Sequence, residues 1–290
     1  MAKDKIINWV IFVLLSFIWG SSFILMKLSS LQLNGWQIAS VRIFSAGMVF
    51  WPSALVHFSK VPRNKIPIIF LSGLCGNLFP AYLFAIAIEQ KLNSALAGIL
   101  NSLTPLLVII IGVLFFKAQV HLKKIVGVLI GFIGLLILSL SKGGITVDNF
   151  WFALFILLAT LCYGINVNIV SHYLKEVNPI KMATISLAFI SIPAFIVLLQ
   201  QNVMALVWNN ADYRFPVFAA IVLGVMGSAV ATVLFYLLIK RAGGLFASLV
   251  TYGIPIVAIF WGILFQENIT IIQIGCLAVI LGGVYLANRT

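Results

Sequence analysis

The apolar residues of this chain come in long unbroken runs, not in the alternation of a half-buried strand or the stripe of a surface helix. Ten runs stand out, at approximately 6–28, 34–57, 66–88, 93–116, 122–140, 150–171, 178–200, 215–239, 244–265 and 269–287. Each is long enough to cross about 30 Å of hydrocarbon as a helix. Helices are the solution available, because an isolated strand in lipid leaves its N–H and C=O groups unpaired. The polar breaks are short: "SSLQLNG", "SKVPRNK", "EQKLN", "KAQVHLKK", "SKGGITVDN", "SHYLKEVNP", "NNADYR", "KRAGG" and "QEN". They leave no room for a soluble domain. The first run follows "MAKDK" and stays apolar to about Leu28 with no small-residue cleavage site, so it reads as a membrane helix and not as a signal peptide.

Composition agrees with the pattern. Of 290 residues, 63% are hydrophobic and 8% are charged, where a soluble domain carries about 25% charged residues; the mean hydropathy is +1.18. A net charge of +12 suggests nucleic acid, but the basic residues stand between apolar runs and act as topology signals, so no nucleic-acid partner is expected. With the N-terminus inside, thirteen Lys and Arg fall on the cytoplasmic side and four (Lys27, Lys91, Lys142 and Arg214) on the other. That bias places both termini in the cytoplasm. Cys75, Cys162 and Cys276 all lie inside apolar runs and imply no disulfide framework.

The chain also repeats itself. "SFIWGSS" (16–22) aligns with "TLCYGIN" (160–166), and "SGLCGN" (72–77) with "LGVMGS" (223–228). "LAGILNSLTPLLVIIIGVLFF" (96–116) aligns with "FASLVTYGIPIVAIFWGILFQ" (246–266), placing Pro105 on Pro255. Gly127 and Gly134 match Gly275 and Gly282. The expected organisation is two halves, 1–143 and 144–290, of five spans each. Five is odd, so the second half enters the membrane upside down: an all-α integral membrane protein of ten transmembrane helices in a 5+5 inverted-topology repeat. Secondary transporters recur in this arrangement, with the substrate site near the midplane between repeats.

The "FIWGSSF" of the first span, "VRIFSAG" (41–47) and the paired "P…GxLF" endings of the fourth and ninth spans resemble the EamA branch of the drug/metabolite transporter superfamily. The resemblance covers nearly the whole chain. It implies ten helices with both termini inside, and a cavity lined chiefly by spans 1, 3, 4, 6, 8 and 9, with spans 5 and 10 peripheral. It further implies transport of small organic metabolites, often outward and often amino acids. One departure concerns the glutamate usual after the fourth and ninth spans: Glu267 matches it, but "FFKAQV" puts Lys117 and Ala118 in that place in the first half.

The six acids (Asp4, Glu89, Asp148, Glu176, Asp212 and Glu267) and the histidines His57, His121 and His172 all sit at run ends or in breaks. No mid-membrane carboxylate is present for a proton relay. Metal-ligand clusters, phosphate-binding glycine loops and nucleophile–base pairs are likewise missing, so neither an enzyme nor a cofactor is expected, and sodium coupling through unwound carbonyls stays open. His172 with Glu176 is the nearest thing to a membrane-enzyme pair.

The polar residues within the spans are the candidates for binding substrate. Ala97, Asn101, Thr104, Pro105 and Val108 share one face of the fourth span. Pro105 cannot donate to the Asn101 carbonyl, which is left as a free acceptor. Ser248, Thr251, Tyr252 and Pro255 repeat the design in the ninth span. Packing accounts for one such proline; two at equivalent repeat positions point to the binding site. Trp19 with Ser22, and Tyr163 with Asn166, are spaced three apart on the first and sixth spans. Each aromatic needs a partner for its N–H or O–H, either a neighbouring carbonyl or a ligand. Asn77 matches Ser228, which begins a stripe with Thr232 and Tyr236 that serves either helix packing or the cavity. Arg42 lies near mid-depth of the second span, where it either attracts a substrate carboxylate or, the favoured reading, plays a structural role against carbonyls. Lys27 reads as a snorkelling anchor more than a gate. Gly127, Gly131 and Gly134, with Ala278 and Gly282, have the spacing of close helix packing, within the chain or in a homodimer through spans 5 and 10. The expected partners are therefore a small-molecule substrate, the lipid bilayer and a second copy of the chain. The expected activity is export of neutral or zwitterionic metabolites such as amino acids across the inner membrane, with a drug or nucleotide-sugar carrier as the alternative.

Overall fold

In a computed structural model, residues 2–90, 94–140, 150–264 and 270–288 are described; Glu267 lies outside them. The helices are α1 (Ala2–Ser29), α2 (Gly35–Phe58), α3 (Ile66–Gly73), α4 (Phe79–Glu89), α5 (Ser94–Asn101), α6 (Thr104–Phe116), α7 (Leu122–Leu140), α8 (Phe150–Tyr173), α9 (Pro179–Gln200), α10 (Val203–Asn209), α11 (Arg214–Gly224), α12 (Ala231–Ala242), α13 (Gly244–Ser248), α14 (Val250–Leu264) and α15 (Ile271–Asn288). No strand occurs among the described residues. Seven helical runs are long and apolar enough to cross a membrane: 4–29, 35–58, 63–89, 97–116, 151–173, 179–200 and 211–242. The helices of the other three expected spans, α7, α13–α14 and α15, do not meet that measure among the described residues.

The helix boundaries follow from side-chain chemistry. Asn34 caps α2 in a capping box with Gln37, and Asn178 caps α9 with Pro179 in the first turn. Lys117 ends α6 in the left-handed region, at φ 52°. The interior irregularities come in pairs. A π-helical turn, Leu74–Leu78, joins α3 to α4, and another, Val225–Val230, joins α11 to α12. Ser102 N bonds back to Ile99 O at 3.0 Å where α5 meets α6, and Tyr252 N to Leu249 O at 2.9 Å where α13 meets α14. Those two tightened turns occupy aligned positions of the halves, three residues before Pro105 and Pro255.

Packing between the halves is paired as well. α2 lies on α9 and α7 on α15, each with its own counterpart. α1 packs on α14 as α8 packs on α6, and α1 on α11 and α12 as α8 on α3 and α4. Such swapped pairs are what a pseudo-twofold between repeats produces. Contacts at the helix ends fix which ends share a face. Arg241 reaches Asp4 at 3.0 Å and Asn8 at 2.9 Å, and Lys65 Nζ donates to Tyr173 O at 2.8 Å. At the other face Asn34 Nδ2 donates to Gln201 Oε1 at 3.2 Å.

The small-residue seam is used inside the chain, and one position differs from expectation. A Cβ on Gly127 would meet Ala287 N at 2.5 Å, and one on Gly134 would meet Ile280 Cγ1 at 2.9 Å. On α15 the close approach is made by Gly283, not Gly282, which has nothing within 4 Å of a built Cβ; Ala278 is exposed. The aligned glycines of the two halves therefore do not face each other, because the helices cross with their stripes offset. A homodimer through α7 and α15 would have to use their outward faces, where Leu129, Ile133 and Tyr285 are exposed.

Candidate functional site

The two π-turns and the two tightened turns converge on one cavity of about 890 Å³ of empty space, some of it open to its surroundings. From the first half it takes Trp19, Ser22, Asn77, Asn101 and Thr104; from the second, Tyr163, Asn166, Thr232, Ser248 and Thr251. Under the alignment Trp19 pairs with Tyr163, Ser22 with Asn166, and Asn101 with Thr251. Each half thus supplies an aromatic and polar groups from equivalent positions.

The backbone irregularities explain much of the hydrogen bonding. A π-turn shifts carbonyls out of the regular helical ladder, and Gly227, in the second such turn, accepts from Trp19 Nε1 at 3.1 Å. In the first, Asn77 Oδ1 accepts from Thr232 Oγ1 at 3.0 Å, bridging the halves. Ser72 donates to Asn166 Oδ1 at 2.6 Å and lies 2.9 Å from the Tyr236 hydroxyl. The carbonyl of Asn101, expected free because of Pro105, is instead taken by Thr104 Oγ1 at 2.6 Å. The side chain answers the loss of the backbone donor locally, as threonine does in membrane helices. Thr251 Oγ1 bonds Ser248 O at 3.0 Å in the other half. What lacks a partner is the side-chain oxygen of Asn101.

Nine of the expected binding residues line this cavity: Trp19, Ser22, Asn77, Asn101, Thr104, Tyr163, Asn166, Thr232 and Thr251. Ser228 stands behind the wall, fully buried, as acceptor for Arg42 Nε at 2.8 Å. Pro105 and Pro255 shape the backbone and are not in the lining. Tyr252 points away from the cavity: its hydroxyl donates to Val128 O at 2.9 Å and its ring lies against Gly131. Lys27 is exposed at the end of α1, as an anchor should be. Arg42, by contrast, lines the cavity, although its helix was expected to stand outside it. Sequence reasoning missed Phe23, Met26, Phe84 and Phe235, which complete the apolar wall. Phe235 lies 5.2 Å from the Trp19 ring and Phe84 6.3 Å from Tyr163.

A second cavity of about 680 Å³ lies toward the end of the molecule where α8 and α12 finish. Its wall carries His172, Lys175 and Lys240, and Tyr236 belongs to both walls, separating the two spaces. No group of three or more His, Cys, Asp or Glu able to hold a metal ion exists among the described residues.

Comparison with known proteins agrees with the duplication. An uncharacterized transporter from Archaeoglobus fulgidus is 23% identical over 97% of this chain and 99% of its own length. The uncharacterized inner membrane transporter YedA of Escherichia coli K12 is 25% identical over 93% of this chain and 87% of its own. A solved structure titled only as the crystal structure of a protein superposes with a TM-score of 0.70 over 100% of this chain and 97% of that one, at 14% identity, a likeness of fold. The profile of the EamA-like transporter family matches twice, at residues 7–140 and 150–289, one match for each half that frames the cavity, and the chain therefore belongs to that family of membrane transporters.

Proposed function

We propose that the protein carries amino acids or similar neutral and zwitterionic metabolites out of the cell across the inner membrane, by alternating access between its two halves. The observation that carries this reading is the cavity itself. Equivalent residues of both halves line it, it is aromatic, amide and hydroxyl in character apart from the one cation, Arg42, and no carboxylate lines it among the described residues. A site shared between inverted repeats changes its exposure when one half rocks against the other.

Ten crossings with both termini in the cytoplasm fit the contacts at the helix ends. Residues 4 and 241, residues 65 and 173, and residues 127 and 287 each meet on one face, and residues 34 and 201 meet on the other. Alternating crossings in the expected order bring those same ends together. The basic residues of the first face then lie inside, as the positive-inside rule requires.

The test is flux of an amino-acid panel into proteoliposomes, with Asn101→Ala and Thr251→Ala beside the wild type. Loss of flux in both variants, with normal folding, supports the site. Wild-type flux in both removes it.

A further inference from the structure

Arg42 is the charge that the proposed function leaves unused. It donates Nε–H to Ser228 Oγ at 2.8 Å and lines the central cavity. Neither Nη has a hydrogen-bond partner among the described residues. The described acids stand elsewhere: Asp4 pairs with Arg241 at 3.0 Å, Glu89 accepts from Gly35 N at 2.7 Å, and Glu176 and Asp212 lie in turns between helices. A guanidinium does not escape such a site by losing its proton. A cation held within the membrane with one neutral partner is a poor arrangement unless an anion completes it.

Geometry says which anion. Ser228 takes the Nε–H, and the two Nη groups remain as a planar fork suited to two oxygens of one carboxylate. One carboxylate matches the single charge of Arg42, whereas a phosphate dianion would exceed it and leave a net negative charge against Phe23, Met26, Phe84 and Phe235. The second cavity offers an independent observation. Lys175 and Lys240 line it, no acid does, and Tyr236 is the wall it shares with the central cavity. A pocket lined by one sign of charge concentrates ligands of the other beside the central cavity.

We propose that Arg42 anchors the transported molecule through its carboxylate, and that a carboxylate is the feature by which this transporter selects its substrates. The proposal rests on the transporter reading above. It sets the ligand with its acid group at Arg42 and its remainder along Trp19 and Phe235, beside the amide of Asn101.

The experiment measures equilibrium binding to the purified full chain in nanodiscs. The probes are matched sets built on leucine, phenylalanine and methionine: the amino acid, its carboxamide, and the acid lacking the amine. The expected result is that at least one set binds, that its carboxamide binds about ten- to a hundredfold more weakly than its acid, as loss of a charge-assisted pair implies, and that Arg42→Gln abolishes the difference. Arg42→Lys, which keeps the charge and loses the fork, should keep a reduced preference, and the wild-type comparison stands even if both variants fold poorly. Equal binding of amino acid and carboxamide by the wild type overturns the proposal and leaves the amino-acid reading intact. Arg42-dependent binding of the acids lacking the amine, with no binding of amino acids, does the reverse. Binding by no member of any set overturns both.

Discussion

Replacing Gly283 with alanine tests whether the α7–α15 seam is a designed close contact or an incidental one. A Cβ there would lie 2.5 Å from Gly131 N, 2.6 Å from Gly127 O and 2.8 Å from Gly131 Cα, all of them backbone atoms. Backbone cannot swing aside as a flexible side chain does. Ordinary contact begins near 3.4 Å, so the helices must part by about 0.9 Å along that direction. Forcing one methyl group into a filled interface costs about 1–3 kcal/mol, offset by up to about 1 kcal/mol because alanine favours helix over glycine. The next residue supplies the control. Gly282 has nothing within 4 Å of a built Cβ, so Gly282→Ala takes only the propensity gain. The two variants, one position apart on one helix, should therefore differ by about 1–3 kcal/mol in opposite directions from the wild type. Reversible unfolding in mixed micelles, followed by tryptophan fluorescence against increasing denaturing detergent, measures this. Gly127→Ala should behave like Gly283→Ala, and Gly275→Ala, also without neighbours, like Gly282→Ala. Equal midpoints for the Gly283 and Gly282 variants would refute the reasoning, since close backbone approach is the only difference invoked between them.

Three further outcomes are expected. Trp19→Phe keeps an aromatic ring against Phe235 but leaves Gly227 O without its donor, which should cost about 0.5–1.5 kcal/mol in the same unfolding assay; an unchanged midpoint counts against that bond. Cys75 and Cys162, from opposite halves, are neighbouring thiols, so mercuric ion should bridge them and stop flux in the wild type and in Cys276→Ser but not in Cys162→Ser. Equal inhibition of all three shows that the pair does not span moving parts. Because no carboxylate lines the cavity among the described residues, a protonophore should leave flux of a zwitterion unchanged in proteoliposomes, and collapse of flux would place a proton relay where none has been described.

Much of the site was legible because the chain is duplicated. Trp19 opposite Tyr163, Ser22 opposite Asn166 and Asn101 opposite Thr251 are polar or amphipathic residues inside apolar runs, and each has its counterpart in the cavity wall. The differences arise from geometry that one run of sequence does not carry. Tyr252 shares a sequence neighbourhood with Thr251, but the tightened turn from Leu249 to Tyr252 carries its ring toward Gly131 and its hydroxyl to Val128 O. Spacing along an ideal helix does not register a local change of pitch. For Arg42 the favoured reading is a structural role against carbonyls; position along one helix does not reveal that its partner is Ser228, in a π-turn of another helix, or that it lines the cavity. The phenylalanines of the wall carry no signal at all, since a cavity-facing phenylalanine in a membrane span reads like a lipid-facing one. The offset between Gly282 and Gly283 likewise follows from how two helices cross, which no single run records.

The two kinds of irregular backbone divide the work of making this site. At the proline-linked turns, the acceptor left by Pro105 is claimed by Thr104 from the next turn of its own chain, so the break bends the helix and exposes little backbone. At the π-turns the acceptors are claimed from a distance: Gly227 O by Trp19 and Asn77 Oδ1 by Thr232, each across the boundary between the halves. The prolines therefore set the shape within a half, and the π-turns help to tie one half to the other. If the halves rock during transport, the π-turn bonds are among those that must break and re-form, while the Thr104–Asn101 bond can ride along unchanged. Each such exchange is worth little in a membrane interior, about 0.6 kcal/mol on average for an interhelical hydrogen bond. A switch built from bonds that weak can be moved by the binding free energy of a single small solute, which the locally closed proline turns leave undisturbed.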